Sequence, residues 1–251
     1  MNGTAIIIWE VFMDGKSNKS KIEVTILLPC LNEENTVAAC VKQAAIFLKS
    51  NKIEGEILVC DNKSEDDSVT KARESGARVV ICRERGYGNT LRMGIKESHG
   101  TYVIMGDCDC SYHFDEVMPF LTELRKGADL VVGNRFVKKM EKNAMPFSHH
   151  FFGVPFLSFL GRRFFSCKVR DFHCGLRAVK RDSFLKLGCR YGGMEFATEM
   201  IGRAALLGQK IHQVPVKLYR DQRGRASHLK SIPDGIRHLR VIVTRAKCSK
   251  F

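Results

Sequence analysis

The sequence predicts an α/β fold in which helices flank a mostly parallel central sheet. From Lys21 to Arg135, short apolar runs alternate with longer segments of helical periodicity. A cluster of polar residues follows the end of four of the apolar runs. Strands and helices that alternate in this order form a mostly parallel sheet covered by helices. The 251 residues are enough for one substantial domain with its own core.

The first strand is predicted at Val24 to Pro29, a compact apolar run that ends at proline. The helix predicted next, from Asn35 to Ser50, carries an apolar stripe at 37, 40, 41, 44, 45 and 48. The pattern continues with strands at 56–60, 77–82, 102–105 and 129–132, and with helices at 66–76, 89–100 and 114–126.

Four polar clusters fall where these strands end, at 29–35, 61–68, 83–89 and 107–111. Each cluster alone is also explained by helix capping and turn formation. In a sheet of this class, however, ligands bind beyond the carboxyl ends of the strands, near a switch in strand order. The joint placement therefore predicts one binding rim.

The most informative cluster is Asp107-Cys108-Asp109, which follows the apolar run 102–105 and Gly106. Carboxylates one residue apart at the end of a strand point to the same side of the chain. Together they can hold a hard divalent cation through oxygen. The pattern is equally compatible with a solvated acidic turn, so its interpretation depends on the rest of the chain.

The net charge of +14 is unevenly distributed. Residues 1–134 carry 16 Lys+Arg against 20 Asp+Glu, and residues 135–251 carry 25 against 7. The basic half favours an anionic partner, and nucleic acid, anionic lipid headgroups and phosphorylated substrates all qualify. A basic surface that serves only solubility is the alternative.

Two segments in this half combine basic residues with aromatic or apolar ones. Residues 147–165 contain seven phenylalanines, and their longest apolar stretch is too short to span a bilayer. They can lie in a membrane interface or be buried against the sheet. From Pro233, apolar residues at helical spacing alternate with arginines and histidine, as in an amphipathic helix at a membrane surface.

Location and domain boundaries are predicted from the same patterns. The first 20 residues lack the basic leader of a signal peptide, so we expect a cytoplasmic protein without a transmembrane helix, peripheral on the inner membrane face. The ten cysteines lack paired metal-ligand spacing and are interpreted as reduced thiols. We predict an N-terminal extension at 1–20, a catalytic domain at 21–230 with halves at 21–135 and 136–230, and a basic amphipathic tail at 231–251.

Motifs along most of the chain resemble those of family 2 glycosyltransferases of the GT-A fold, in the branch that transfers sugars to dolichyl or polyprenyl phosphate. The motifs are PCLNE (29–33), DNKSED (61–66), GYGN (86–89), DCD (107–109), GNR (133–135), DFHCGLR (171–177), GMEFATE (193–199) and the segment from Arg220 to SHL (227–229). The resemblance implies a Rossmann-like sheet and a glycosyltransferase that uses Mg²⁺ or Mn²⁺.

The resemblance also implies roles for individual residues. Asp107 and Asp109 would hold the metal on the diphosphate of a nucleotide-sugar, and Arg135 and Glu195 would belong to the catalytic residues with Asp109 and Arg220. The nucleotide-sugar would further contact Pro29, Leu31, Glu33, Asp61, Asn89, Arg223, Arg225 and Ser227. Two alternatives stay open: Arg135 can form a structural ion pair, and Glu195 or Glu199 can pair with arginines instead of acting as a base.

The resulting hypothesis is an inverting transfer from a nucleotide-sugar of the UDP-glucose or GDP-mannose type to a polyprenyl phosphate. A phosphate acceptor is already ionised and scarcely needs a general base. The first alternative is transfer to a saccharide or protein hydroxyl, and the second is a non-enzymatic binder of nucleic acid or anionic lipid. No nucleic-acid motif is found, so we expect no nucleic-acid partner. A membrane subunit or a second copy of the chain is a possible partner.

Overall fold

The computed structural model describes residues 22–224 and 231–248, which fold around a seven-stranded sheet. The strands are β1 Val24–Cys30, β2 Gly55–Asp61, β3 Arg78–Ile81, β4 Tyr102–Met105, β5 Leu130–Asn134, β6 Arg177–Lys180 and β7 Ile211–Pro215. The helices are α1 Val37–Ser50, α2 Ser68–Glu74, α3 Tyr87–Glu97, α4 Met118–Arg125, α5 Val154–Phe165, α6 Arg181–Leu187, α7 Phe196–Leu206 and α8 Ser231–Cys248.

The strand order is β3-β2-β1-β4-β6-β5-β7. Strand β6 runs antiparallel to β4 and β5, and the other neighbouring pairs are parallel. The predicted α/β fold with a mostly parallel sheet is confirmed. All seven residues of β1 are buried, as expected for a central strand covered on both faces.

The strand order reverses beside β1. The chain adds β2 and β3 on one side of β1, and β4 then pairs on its other side, with Leu27 opposite Met105. The carboxyl ends of β1 and β4 therefore open at a switch point. Leu31 follows β1 there, and Asp107 lies two residues beyond the end of β4.

The five strands predicted before Arg135 are confirmed, with ends that shift by a few residues. The single helix predicted at 114–126 is instead a 3₁₀ turn, Phe114–Glu116, followed by α4. Proline has no N–H and fits the first turn of a helix, so Pro119 favours a new helix start.

The phenylalanine-rich segment forms a π-helical turn, His149–Gly153, that leads into α5. Phe165 is buried and stacks on Phe172, whereas six other phenylalanines are exposed. These six are Phe147, Phe151, Phe152, Phe156, Phe159 and Phe164. Helix α5 packs beside α8. Within 22–224 and 231–248, no helix combines the length and apolar character needed to cross a bilayer.

Candidate active site

A cleft of about 400 Å³ lies at the carboxyl ends of β1, β2 and β4. One wall comes from the end of β1 and from the chain after β1 and β2, with Pro29, Leu31, Glu33 and Asn62. The start of α3 and the chain after β4 contribute Arg85, Gly86, Tyr87 and Asp107. The remaining wall includes Gly193, Met194, Arg223, Asp234 and Arg237. All four polar clusters predicted at the strand ends contribute residues to this cleft.

Asp107 lies in this cleft and is held from two sides. The Tyr87 hydroxyl donates to its Oδ1 at 3.0 Å. A Cβ on Gly175 would come within 2.2 Å of its Oδ2, so a side chain at position 175 would displace the carboxylate. Burial raises the pKa of Asp107, and the Tyr87 hydroxyl and nearby arginines oppose that rise. Asp107 is therefore fixed in a position where added positive charge would favour its ionised form.

Asp109 is buried and forms an ion pair with Arg223. Its Oδ1 accepts from the Ser111 amide at 2.9 Å, and its Oδ2 accepts from Arg223 Nη2. Arg223 Nη1 also lies 3.5 Å from Glu33 Oε1. The backbone holds the arginine nearby, because the Gln222 amide donates to the Asp109 carbonyl at 2.9 Å.

These residues fit a divalent cation that is shared with a ligand. Within the described ranges, no group of three or more His, Cys, Asp or Glu side chains could hold a metal ion alone. Mg²⁺ is commonly bound by one or two carboxylates together with substrate phosphates. Asp109 already pairs with one cationic group, the guanidinium of Arg223. Asp107 and Asp109 are the residues that could hold the metal.

The residues predicted to contact the nucleotide divide into two groups. Pro29, Leu31 and Glu33 line the cleft. Asp61 is buried behind it and accepts from the Ser64 amide at 3.0 Å, and Asn89 donates to the Arg85 carbonyl at 3.0 Å. In these positions Asp61 and Asn89 shape loops at the rim. Their predicted contact with the nucleotide stays a prediction.

Arg135 is placed in a buried ion pair. Its Nε and Nη2 donate to the two carboxylate oxygens of Asp171 at 2.7 and 2.8 Å. The side chains of Arg135 and Asp171 are 9% and 0% exposed. This is the structural ion pair that the sequence analysis gave as an alternative for Arg135. Arg135 does not line the cleft. A contact with substrate phosphate stays a prediction.

The two candidate bases differ in their surroundings. Glu199 is fully buried, and its Oε2 accepts from the Arg190 and Tyr191 amides at 2.8 Å each. Glu195 directly follows two cleft-lining residues, and its Oε2 has no hydrogen-bond partner among the described residues. Glu199 therefore holds the loop before α7, and Glu195 remains the candidate base of the two.

The predicted site segment from Arg220 to Ser227 is described only as far as Gly224. Arg223 lies in the cleft, whereas Arg220 is exposed and its amide donates to Glu141 Oε2 at 2.8 Å. Arg225 and Ser227 lie outside the described residues, as does the predicted extension 1–20. Sequence reasoning missed Asn62, Tyr87, Asp234 and Arg237 as cleft residues. Asn62 and Tyr87 stand inside motifs that were recognised, whereas nothing in the pattern of α8 distinguished Asp234 and Arg237 from a membrane-facing helix.

The sequence profile of glycosyl transferase family 2 matches residues 25–188, which include both aspartates. This chain belongs to glycosyl transferase family 2. The predicted family and its enzyme class, a glycosyltransferase, are confirmed. The residues that complete the cleft of this glycosyltransferase lie beyond the matched region: Gly193, Met194, Arg223, Asp234 and Arg237.

Several relatives of this family 2 glycosyltransferase are known by name. A low-salt glycan biosynthesis hexosyltransferase of Haloferax volcanii is 35% identical over 89% of this chain and 54% of its own length. A dolichyl-phosphate hexose transferase of the same organism is 28% identical over 66% of this chain and 71% of its own length. The glycosyltransferase thus spans about half the length of the first relative. The second name supports the branch that the motifs indicate.

Solved structures confirm the GT-A fold. A mycobacterial protein has a TM-score of 0.73 and 21% identity, with 91% of this chain and 76% of that chain covered. Glucosyl-3-phosphoglycerate synthase of Mycobacterium tuberculosis, crystallised with Mn²⁺, UDP and glucosyl-3-phosphoglycerate, has a TM-score of 0.67 and 22% identity. The aligned region covers 91% of this chain and 81% of the synthase chain. At these identities the likeness concerns the fold.

Proposed function

We propose that this glycosyltransferase moves a sugar from a nucleotide-sugar of the UDP-glucose or GDP-mannose type to a polyprenyl phosphate, in a metal-dependent inverting reaction. The observation that carries the proposal is the cleft at the switch point, which Asp107 and Arg223 line and where Arg223 pairs with the buried Asp109. The named dolichyl-phosphate relative and the neighbour with UDP and Mn²⁺ support the acceptor, the donor and the metal.

In the proposed reaction, a phosphate oxygen of the acceptor bonds to the anomeric carbon of the sugar. The bond from that carbon to the nucleoside diphosphate breaks, and the diphosphate leaves with the electron pair. A bound Mg²⁺ or Mn²⁺ would neutralise charge on the leaving diphosphate. Positively charged groups placed where charge develops stabilise such a transition state without covalent chemistry.

Different residues of this chain would bind the metal, orient its ligands and contact the diphosphate. Asp107 and Asp109 would hold the metal, and Tyr87 would keep the Asp107 carboxylate oriented through its hydroxyl. Arg223, which pairs with Asp109 in the structure, would turn to the diphosphate. Gly224, whose φ is +72°, follows directly and lets the chain adopt conformations that other residues rarely reach. Acceptor phosphate needs no proton removed, so no side chain is required as a base.

A hydroxyl acceptor is the second candidate, and Glu195 is the observation that favours it. A buried carboxylate oxygen without a partner among the described residues, next to Met194 in the cleft, could take the proton of an attacking hydroxyl. The two candidates make opposite predictions for replacement of Glu195.

A lipid acceptor would reach the cleft from a membrane surface, and we propose that α5 and α8 bind it. Six exposed phenylalanines at 147–164 lie in or before α5, and Ile232, Ile236 and Leu239 are exposed on the adjacent α8. Apolar side chains among arginines suit an interface with anionic headgroups.

The proposal is tested by transfer of radiolabel from a panel of UDP- and GDP-sugars, with and without Mn²⁺. Label that enters an organic-extractable polyprenyl-phosphate fraction identifies the donor and the acceptor class together. Label found only in water-soluble product supports a hydroxyl acceptor. Absence of both transfer and nucleotide-sugar binding would contradict the proposed function.

A further inference from the structure

Helix α8 has two faces of different chemistry. Asp234, His238, Val241 and Ile242 are buried and follow helical spacing, so they share the face toward the protein. Ile232, Ile236 and Leu239 are exposed on another face. An acidic side chain on the buried face requires a reason, because burial of a carboxylate is costly unless it is paired.

The Asp234 carboxylate is paired with an arginine at the cleft. Asp234 and Arg237 both line it, together with Asp107 and Arg223. Asp234 Oδ1 lies 3.2 Å from Arg237 Nη1, and their side chains are 7% and 57% exposed. The carboxylate is thus buried, while more than half of the arginine side chain is exposed at the cleft. This ion pair uses one of the five N–H donors of the guanidinium.

We infer that Arg237 is a binding residue for a phosphate oxyanion at the mouth of the cleft, and that Asp234 is the residue that positions it. The inference rests on the proposed function and adds two residues of α8 to the same site. A guanidinium matches phosphate oxygens with paired N–H donors.

The cleft arginines are not equivalent. Arg223 pairs with Asp109 and Glu33 and would have to break these contacts to meet a phosphate. Arg85 pairs at 3.5 Å with the exposed Glu65. The partner of Arg237 is instead a carboxylate of its own helix, one turn away, which orients the guanidinium without bridging it to another wall. Arg237 can therefore meet a phosphate without breaking a contact between elements.

The position of α8 relative to the cleft is also fixed. One turn beyond Asp234, His238 Nδ1 lies 2.7 Å from Thr198 Oγ1 of α7. The His238 ring meets the ring of His173 edge to face, with centroids 4.4 Å apart. These contacts anchor the helix at its buried face, so Asp234 and Arg237 keep their place at the rim.

The oxyanion can belong to the donor diphosphate or to the acceptor phosphate, and binding measurements distinguish the two. We would compare wild type with Arg237→Ala, Arg237→Lys, Asp234→Asn and Asp234→Glu. Arg240→Ala is the matched control, because it removes the same charge from an exposed position of the same helix that does not line the cleft. The readouts are the Kd of UDP and of GDP with Mn²⁺ by calorimetry, and the KM for a short polyprenyl monophosphate in detergent.

We expect Arg237→Ala to weaken one of these ligands at least tenfold while Arg240→Ala changes both less than twofold. A weaker Kd for the preferred nucleotide assigns Arg237 to the donor diphosphate, and a raised KM at unchanged nucleotide Kd assigns it to the acceptor. Arg237→Lys should retain part of the affinity. Asp234→Asn should weaken the same ligand less than Arg237→Ala does, with restoration in Asp234→Glu and a melting temperature near that of wild type.

Two results would overturn the inference, and they are distinguishable. If wild type binds nucleotide and transfers sugar while Arg237→Ala matches Arg240→Ala for both ligands, the inference fails and the proposed function stands. If wild type neither binds nucleotide nor transfers sugar, both fail together.

Discussion

Among the single residues, replacement of Arg223 should raise the affinity for metal and lower the rate of transfer. Its guanidinium pairs with Asp109 and Glu33 where a divalent cation would be held. We predict that Arg223→Ala binds Mn²⁺ about tenfold more tightly in the absence of nucleotide, because an ion pair of about 1.4 kcal/mol no longer competes. Transfer should nevertheless slow, because a positive group near the diphosphate is lost. Titration of Mn²⁺ followed by electron paramagnetic resonance measures the affinity.

The control for that titration is Arg220→Ala, which removes the same charge from an exposed position of the same segment. Its Mn²⁺ affinity should equal that of wild type. Equal affinities in all three proteins would show that Arg223 does not compete with the metal.

Glu195 and Glu199 provide a second test among single residues. With a phosphate acceptor, Glu195→Gln should lower the turnover number only a few fold, because no proton has to be removed. Glu199→Gln should lower the free energy of unfolding by about 1–2 kcal/mol, because its Oε2 accepts two backbone amides as a charged group. Steady-state kinetics and urea denaturation of both variants measure these effects.

A loss of a hundredfold or more in Glu195→Gln, with normal stability, would contradict the phosphate acceptor. It would support the hydroxyl acceptor instead.

Sequence reasoning reached Asp107 and Asp109 because a carboxylate pair at the end of an apolar run is visible in the chain itself. It could not decide the role of Arg135, because the partner Asp171 lies 36 residues away and only the folded chain brings them together. Asp234 and Arg237 were missed for the same reason, since α8 meets the rim only through tertiary packing.

Among the elements, the contact between α7 and α8 should depend on pH. Burial lowers the pKa of His238 from 6.5 to about 4, Asp234 acts in the opposite direction, and Arg177 lowers it further. Burial also lowers the pKa of the adjacent His173. The stabilisation is complete above the unfolded pKa, near 6.5, and is lost as the pH falls toward 4, because the unfolded chain binds the proton first.

We therefore predict a loss of up to about 3 kcal/mol from His238 between pH 7 and pH 4. Urea denaturation at several pH values should show a shallower dependence in His238→Gln, which keeps a polar group near Thr198 but does not titrate. An unchanged pH dependence in that variant would show that His238 is not the titrating group.

At the scale of the elements, hydrophobic periodicity was sufficient to locate some strands and not others. Strands β1 to β5 are short apolar runs between helices, so the pattern of the chain alone located them. Strand β6 was not recognised because Arg177 and Lys180 stand at its two ends. Arg177 is nevertheless buried, and it donates to the backbone carbonyls of Cys174, Phe172 and Ala197.

For the whole molecule, the exposed apolar side chains of α5 and α8 on a basic half predict binding to anionic membranes. Phe152→Ser with Phe156→Ser should weaken binding to phosphatidylserine vesicles about tenfold or more, since each phenylalanine contributes roughly 1–2 kcal/mol when removed from water. Vesicle sedimentation measures the affinity. Leu207→Ser, an exposed apolar residue outside both helices, is the control.

Binding that is equal for anionic and neutral vesicles, or unchanged in the double variant, would contradict this surface. Raised salt should weaken binding of the wild type to phosphatidylserine, because the headgroup attraction is screened.

The central claim is that Asp107 and Asp109 form the centre of a metal-dependent sugar transfer to polyprenyl phosphate. The most direct test is Mn²⁺-dependent transfer of labelled sugar into the organic phase by wild type, by Asp109→Ala and by the control Asp115→Ala, which lies in the 3₁₀ turn beyond the cleft. We predict loss of metal-dependent transfer in Asp109→Ala alone, with all three proteins folded. Full activity in Asp109→Ala would contradict the account.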